Sequence, residues 1–430
     1  MHISRNKIFI FLFPLVFIAS LGIAIIRDIR NLEDGYACDL RKRIVGSRYQ
    51  AAGLSPYYYK WKPGQPEEFC NPYESGPDFL QNVVTLPPSY LWVLQPISKL
   101  GFHTIEIIWF IVQYLFLLSI FGLFLWNIKE LQYRYILLTV FSLFFFSKGW
   151  ITNVDIGQSY ILFPLLWSVA FFLKNKKVKA YFFAGALLAV CCWLRPVCIL
   201  MVLPFLVSDK RASFLKGFII IGCLCILQLL LFHQYENWQD FFHSSFQWGK
   251  YYNTLGPASS TDFGNGKWPS TIEGQSDFHI TAIPQYTANL PIVASSLFNI
   301  HIKSLWYIVL FFILATTIIF SVYKKRTQLK LDTIWISSFV IYYLSEVFVS
   351  VPKPSYYFVE LIFPICIMVG SKSIFKNRTG LALLLLGLCL STFAIRLIPM
   401  QLLIGEYLVF ISLLFFLSNQ LKIKQQIINQ

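Results

Sequence analysis

The chain has 430 residues, 56% of them hydrophobic and only 13% charged, with a mean hydropathy of +0.59. A soluble domain ordinarily carries about 25% charged residues, and no soluble core of this length hides so much apolar surface. The composition excludes a cytoplasmic enzyme, a disordered chain and a secreted disulfide scaffold, and leaves an all-α polytopic membrane protein. The net charge of +15 is no nucleic-acid footprint when Lys and Arg sit at membrane edges.

In chain order, apolar runs predict twelve spans, within a range of ten to thirteen. They lie at about 7–26, 105–126, 135–148, 158–173, 180–194, 197–208, 215–233, 304–323, 333–350, 356–370, 380–398 and 401–418. The first reads as a retained anchor, because no small-residue cleavage site stands before Arg27. With the N-terminus inside, the inner segments and their borders carry twenty Lys and Arg, and the short outer segments carry four (Lys148, Arg195, Lys353, Arg396). Both termini are then cytoplasmic. Of the 21 acids only Glu130, Asp209 and Asp332 fall inside, so the titratable groups gather at the outer face.

Two outer loops are long, 27–104 and 234–303, and loops of that length are usually functional. The whole chain, 1–430, reads as one integral domain, with loop 27–104 carrying the chemistry and loop 234–303 expected to cover it. Cys38 and Cys70 share the first loop and are a possible disulfide in an oxidising compartment. The other seven Cys sit in or beside spans as small apolar filler.

Five short stretches concentrate polar chemistry. In the first loop, a helix from Asp39 to Ala52 is expected, stopped by Gly53. Asp39 is either its N-cap or a general base, with Arg41, Arg43 and Arg48 supplying charge for a phosphate. Asp28 follows the first span directly in Arg27-Asp28-Ile29-Arg30 and is the second choice of base. Thr85-Leu86-Pro87-Pro88 makes a rigid entry to a short helix. Asn153-Val154-Asp155-Ile156-Gly157-Gln158 supplies caps or pocket groups between two spans. Arg195-Pro196 stands at a tight outer turn, where Arg195 either snorkels to headgroups or clamps a phosphate. Lys353-Pro354-Ser355-Tyr356-Tyr357 adds one cation and two phenols.

Taken in order, these elements resemble glycosyltransferase family 87, the polyprenol-phosphate-mannose-dependent membrane mannosyltransferases of GT-C type. The likeness rests on the outer-loop Asp39, on Ala51-Ala52-Gly53 followed by Pro56-Tyr57, and on Pro87-Pro88. It continues through Gly157-Gln158, Arg195-Pro196 and the late Pro-rich turn with Tyr356-Tyr357 before Pro364. It covers roughly residues 20–370. The chain departs from the family pattern in having Arg rather than Lys before Pro196, and Ser-Tyr after Gly157-Gln158. It has no His beside the late tyrosines, and its first loop is longer and carries two Cys.

The resemblance implies a GT-C-type fold and an inverting transfer of a hexose, mannose favoured. The donor is a polyprenyl-phosphate sugar and the acceptor a glycolipid or glycan, on the outer face of a bacterial cytoplasmic membrane. Asp39 is the implied base, with Arg195, Lys353 and Arg41 at the donor phosphate. Pro87, Pro88, Asp155, Gly157, Gln158, Tyr356 and Tyr357 are the implied pocket residues. No cofactor is expected. No Asp-x-Asp motif occurs and the outer His lack paired ligand spacing, so no metal is expected either. An O-antigen-type polymerase or ligase, or a transporter of lipid-linked saccharide, would share the outer loops and the spans.

Overall fold

The computed structural model describes residues 5–33, 37–59, 61–62, 64–70, 84–173, 178–254, 289–291, 293–294, 300, 302–348, 355–371, 378–393 and 400–422. Helices fill them, and no strand occurs among the described residues. α1 (Arg5–Glu33) leads into α2 (Cys38–Ala51), and a short 3-10 turn (Glu67–Phe69) precedes α3 (Pro88–Ser98). α4 (Phe102–Asn127), α5 (Leu131–Phe144), α6 (Lys148–Asp155), α7 (Leu162–Phe172) and α8 (Val178–Leu194) follow. A 3-10 segment (Pro196–Val202) and α9 (Leu203–Leu206) connect to α10 (Arg211–Leu231) and α11 (Tyr235–Thr254). The C-terminal part holds α12 (Ser304–Lys324), α13 (Leu331–Phe348), a 3-10 segment (Ser355–Leu361) running into α14 (Ile362–Ser371), α15 (Arg378–Thr392) and α16 (Gln401–Lys422).

Five helical stretches are long and apolar enough to cross a membrane: Phe11–Leu32, Phe102–Asn127, Arg211–Leu231, Leu305–Lys324 and Gln401–Leu421. A sixth candidate joins α5 and α6 across a 55° bend. Outward-facing apolar side chains line α1 (Phe11, Leu15, Ile18), α10 (Ile219, Leu224, Leu231) and α12 (Leu305, Phe312, Phe320). Such a surface suits lipid and not water. The chain is an integral membrane protein.

A helix stands at each of the twelve predicted spans, but several are too short to cross alone. α7 has 11 residues, roughly 16 Å against a hydrocarbon core of about 30 Å. The predicted 197–208 span is a 3-10 segment and a four-residue helix, each opened by a proline, Pro196 and Pro204. A proline removes a backbone donor and resets the helix. The predicted 135–148 span stops at Phe144, because Ser147 starts a new helix, its Oγ accepting the Trp150 N–H at 3.3 Å.

Close packing explains how the bundle holds together without a hydrophobic drive between lipid-solvated helices. Gly185 on α8 and Gly217 on α10 each meet the other helix's backbone, with no room for a Cβ. α13 is buried on every side from Thr333 to Ser345, as a helix at the centre of a bundle must be. Around it the fully buried rings of Trp167, Trp335, Phe205 and Phe339 interlock, with Trp167 and Phe205 edge-on to Phe339 and Trp335 respectively.

Candidate active site

α2 begins differently from the sequence expectation. Its helix runs Cys38–Ala51, Ala37 holds the N-cap position, and no side chain caps it. The Ile156 carbonyl does that work instead, accepting the N–H groups of Asp39 (3.1 Å) and Leu40 (3.3 Å). Asp39 therefore sits in the first turn with its carboxylate turned to another partner: Gln158 Nε2 donates to Asp39 Oδ2.

Gly157 makes this approach possible. Its φ is +70°, and a Cβ there would lie 2.5 Å from the Leu40 Cβ. A left-handed residue with no side chain is what the crossing of α2 over this loop requires. The loop is also held from α4, where Trp109 Nε1 donates to the Gln158 carbonyl at 3.2 Å.

Gln158 joins Asp39 to a cation. Arg43 donates to Gln158 Oε1 and, at 3.1 Å, to the Gly157 carbonyl. Arg43 is only 6% exposed. Among the described residues no carboxylate lies within ion-pair distance of it. Asp39 itself is half-buried and so reachable.

Two residues further on, Tyr160 carries the site to the late tyrosines. Its hydroxyl donates to the Tyr357 hydroxyl at 2.8 Å, and its ring lies 5.1 Å from that of Tyr356. Arg195 stands over the Tyr160 and Tyr357 rings at 4.6 and 4.9 Å. The structure thus brings Asp39, Gly157, Gln158, Arg195, Tyr356 and Tyr357 into one continuous cluster. It is assembled from the C-terminal end of α8, the N-terminal turn of α2, the stretch between α6 and α7, and the 3-10 segment before α14, and Glu346 near the end of α13 meets its Arg195.

Other predicted residues are placed elsewhere. Asp28 is fully buried, accepting from Arg27 Nε at 2.6 Å and from the Tyr114 hydroxyl at 2.6 Å. Asp155 accepts from Asn31 Nδ2 at 2.8 Å, tying α6 to α1. Arg41 is buried and ion-paired with Glu106. Arg195 meets two carboxylates, Glu360 and, at 3.2 Å, Glu346, and Tyr342 donates to Glu360 Oε2 at 2.8 Å. Pro87 and Pro88 open α3 against the far half of α2, where Gln50 Nε2 donates to the Pro88 carbonyl at 3.1 Å. Lys353 lies outside the described residues, as does the middle of the second long loop. The first part of that loop, α11, rests on the first: Ser55 Oγ donates to Asp240 Oδ2 at 2.5 Å and Tyr58 shares a 2.7 Å hydrogen bond with His243. Burial, with Asp240 second, pushes the Tyr58 phenol up to about 12.

No disulfide joins Cys38 and Cys70. The residue before Cys70, Phe69, takes the Tyr49 hydroxyl at 2.7 Å, near the far end of α2. Cys38 and Tyr49 stand eleven residues apart on that helix, roughly 16 Å, beyond the ~7 Å that a disulfide spans between Cα atoms. Among the described residues no group of three or more His, Cys, Asp and Glu comes together to hold a metal.

Among the three loop arginines offered for a phosphate, the sequence holds a signal that singles out Arg43. It stands four residues after Asp39, on the same face of the helix, whereas Arg41 points away.

Compared with known families, residues 85–344 match the model of Glycosyltransferase family 87. The match takes in Gly157, Gln158 and Arg195 and more than half of the chain, and it begins after α2. No curated protein and no solved structure matches.

Proposed function

Since the chain belongs to glycosyltransferase family 87, we propose that it moves a hexose, mannose favoured, from a polyprenyl-phosphate donor to an acceptor hydroxyl. The acceptor is a glycolipid or glycan at the outer face of a bacterial cytoplasmic membrane. The observation that carries this reading is a reachable carboxylate, Asp39, coupled through Gln158 to a buried cation, Arg43, that has no described carboxylate within ion-pair distance.

The chemistry follows from these two charges. The acceptor oxygen attacks the anomeric carbon as Asp39 takes its proton. The bond from that carbon to the phosphate oxygen breaks on the opposite face, so the configuration inverts. The leaving polyprenyl phosphate gains one negative charge, and Arg43 is the donor aimed at it. Gln158 holds both groups in register. Arg195, engaged by two glutamates, is a positioning residue: it fixes Tyr160, and through residues 158–160 it fixes Gln158.

The topology supports an outer-face site. The cluster draws on the end of α8, with the end of α13 against it, on the starts of α2 and the segment before α14, and on the turn before α7. With the N-terminus inside and the helices alternating in direction, every one of these lies at the outer side. Twelve alternating passes of GT-C type, several made of broken or short helices, give that arrangement.

The test is transfer from radiolabelled polyprenyl-phosphate-mannose to host lipids by purified protein. Asp39→Asn is expected to abolish transfer in folded protein, while the fraction of Asp28→Asn that folds retains it. Transfer at the parental rate by Asp39→Asn overturns the assignment of the base. Silence of the parent with every polyprenyl-phosphate sugar overturns the donor class and favours the polymerase or transporter.

A further inference from the structure

A cleft of about 1330 Å³ opens along the far half of α2, and neither Asp39, Gln158 nor Arg195 lines it. Its walls come from the end of α2, from α3 and from the junction of α10 with α11. One wall is aromatic and apolar. Trp92 is fixed edge-on against Trp193 at 5.9 Å and lies tilted against Phe232 at 5.2 Å, and exposed Val93 and Phe232 continue the wall outward.

The facing wall carries amides and acids: Gln50, Gln234, Asn237 and Asp240. Two of these are unusual. Gln50 is 8% exposed and Gln234 3%, and the side-chain oxygen of each has no hydrogen-bond partner. A buried acceptor left without a donor costs on the order of 1–3 kcal/mol. Both oxygens are shut off from solvent as the side chains stand, so each becomes an acceptor for a ligand's donor when its amide turns into the cleft.

The charges say which donors. The Arg48 guanidinium at the cleft's edge is already engaged by the carbonyls of Ser98 (2.7 Å), Glu68 (2.8 Å) and Leu100 (2.9 Å), and it lies over the Phe102 ring. Glu68, Glu236 and Asp240 line the cleft as well. A phosphate meets three carboxylates there against one exposed ammonium, Lys99, and no open guanidinium fork. Hydroxyl groups meet what they need: orphaned carbonyl oxygens, and an indole for the apolar face of a ring.

We infer that this cleft binds the sugar chain of the acceptor, as an uncharged oligosaccharide lying along α2. The inference rests on the transferase reading and names the acceptor class for it. Gln50 stands eleven residues from Asp39, roughly 16 Å along the helix. A chain seated in the cleft therefore needs several sugar units to present its end at Asp39.

The experiment separates the two readings by measuring binding in the full-length Asp39→Asn protein in detergent, with manno-oligosaccharides of two, four and six units. Intrinsic tryptophan fluorescence is followed, and calorimetry repeats the measurement for any variant of Trp92. Saturable binding that tightens with length is expected, and Gln234→Leu or Gln50→Leu weakens it at least tenfold. Trp92→Ala does the same, with Trp92→Phe as the milder variant where the alanine protein does not fold. The same six-unit chain on an octyl group tells whether the apolar wall favours a glycolipid over a free glycan. Equal binding by parent and Gln variants, or no binding of any length, overturns the inference even where transfer is observed. Length-dependent, variant-sensitive binding with no transfer from any polyprenyl-phosphate sugar leaves the cleft standing and removes the donor reading.

Discussion

Replacing Gly157 with Ala tests the seat of Asp39 without touching a charged group. Two costs add. An L-residue at φ +70° loses about 1–2 kcal/mol to the left-handed backbone. The new Cβ then stands 2.5 Å from the Leu40 Cβ, where carbon atoms prefer about 3.5 Å or more, so something must yield by about 1 Å. Overpacking of that kind costs about 1–3 kcal/mol, for a total of about 2–5 kcal/mol. Gly64 separates the terms: its φ is +92° and nothing lies within 4 Å of its Cβ position, so Gly64→Ala bears the backbone cost alone. The kinetic effect is the sharper prediction. Leu40 neighbours Asp39, and a shift of about 1 Å in a reacting group costs on the order of 100-fold in rate. Denaturant unfolding in detergent and sugar transfer are measured on both variants. Gly157→Ala is expected to unfold earlier and lose most of its transfer, while Gly64→Ala keeps its rate. A Gly157→Ala protein with the stability and rate of Gly64→Ala refutes the crossing of α2 over residues 156–158 as the device that places Asp39, the proposed base.

Arg195→Met leaves Glu346 and Glu360 facing each other without their cation, and breaking a buried pair costs about 3–5 kcal/mol. Adding Glu360→Gln is expected to recover most of that loss in denaturant unfolding, and an unchanged double variant refutes the pairing. The Tyr58 phenol, raised to about 12 by burial first and Asp240 second, stays protonated in the folded chain after the unfolded chain has ionised near pH 10. The unfolded state then binds fewer protons, so stability is full below pH 10 and falls as pH rises towards 12. Tyr58→Phe is expected to flatten that stretch of the stability curve, and an identical slope in parent and variant sinks the assignment.

What the sequence made legible depended on how local the cause was. The helix of the first loop was readable to within one residue, because Gly53 stops it by backbone preference alone. The capping role offered to Asp39 was not, because the cap is the Ile156 carbonyl, brought in from over a hundred residues away. Apolar runs located a helix at each expected span, since hydropathy reports which residues avoid water, but only five or six of them are long enough to cross a membrane. They overstated the lengths, since hydropathy is blind to the breaks at Ser147, Pro196 and Pro204. Arg41 and Arg195 looked like phosphate ligands only while Glu106, Glu346 and Glu360 were out of sight. Each of these acids is 65 or more positions away in sequence from its arginine.

The arginines of the site are therefore best sorted by what neutralises them. Arg41 and Arg195 each meet carboxylates, and a cation so satisfied has little left for an incoming phosphate. Arg43 is buried as Arg41 is, yet its contacts are a carboxamide and a peptide carbonyl. Neutral acceptors offset only part of the cost of taking a guanidinium out of water. Asp39 stands one carboxamide away through Gln158 and offsets the rest only in part, which leaves the site able to take a further anion. On the proposed reading that anion is the donor phosphate, whose charge grows as the glycosidic bond breaks, so Arg43 binds the departing phosphate more tightly than the bound substrate. That difference, and not tight binding of the donor itself, is what lowers a barrier.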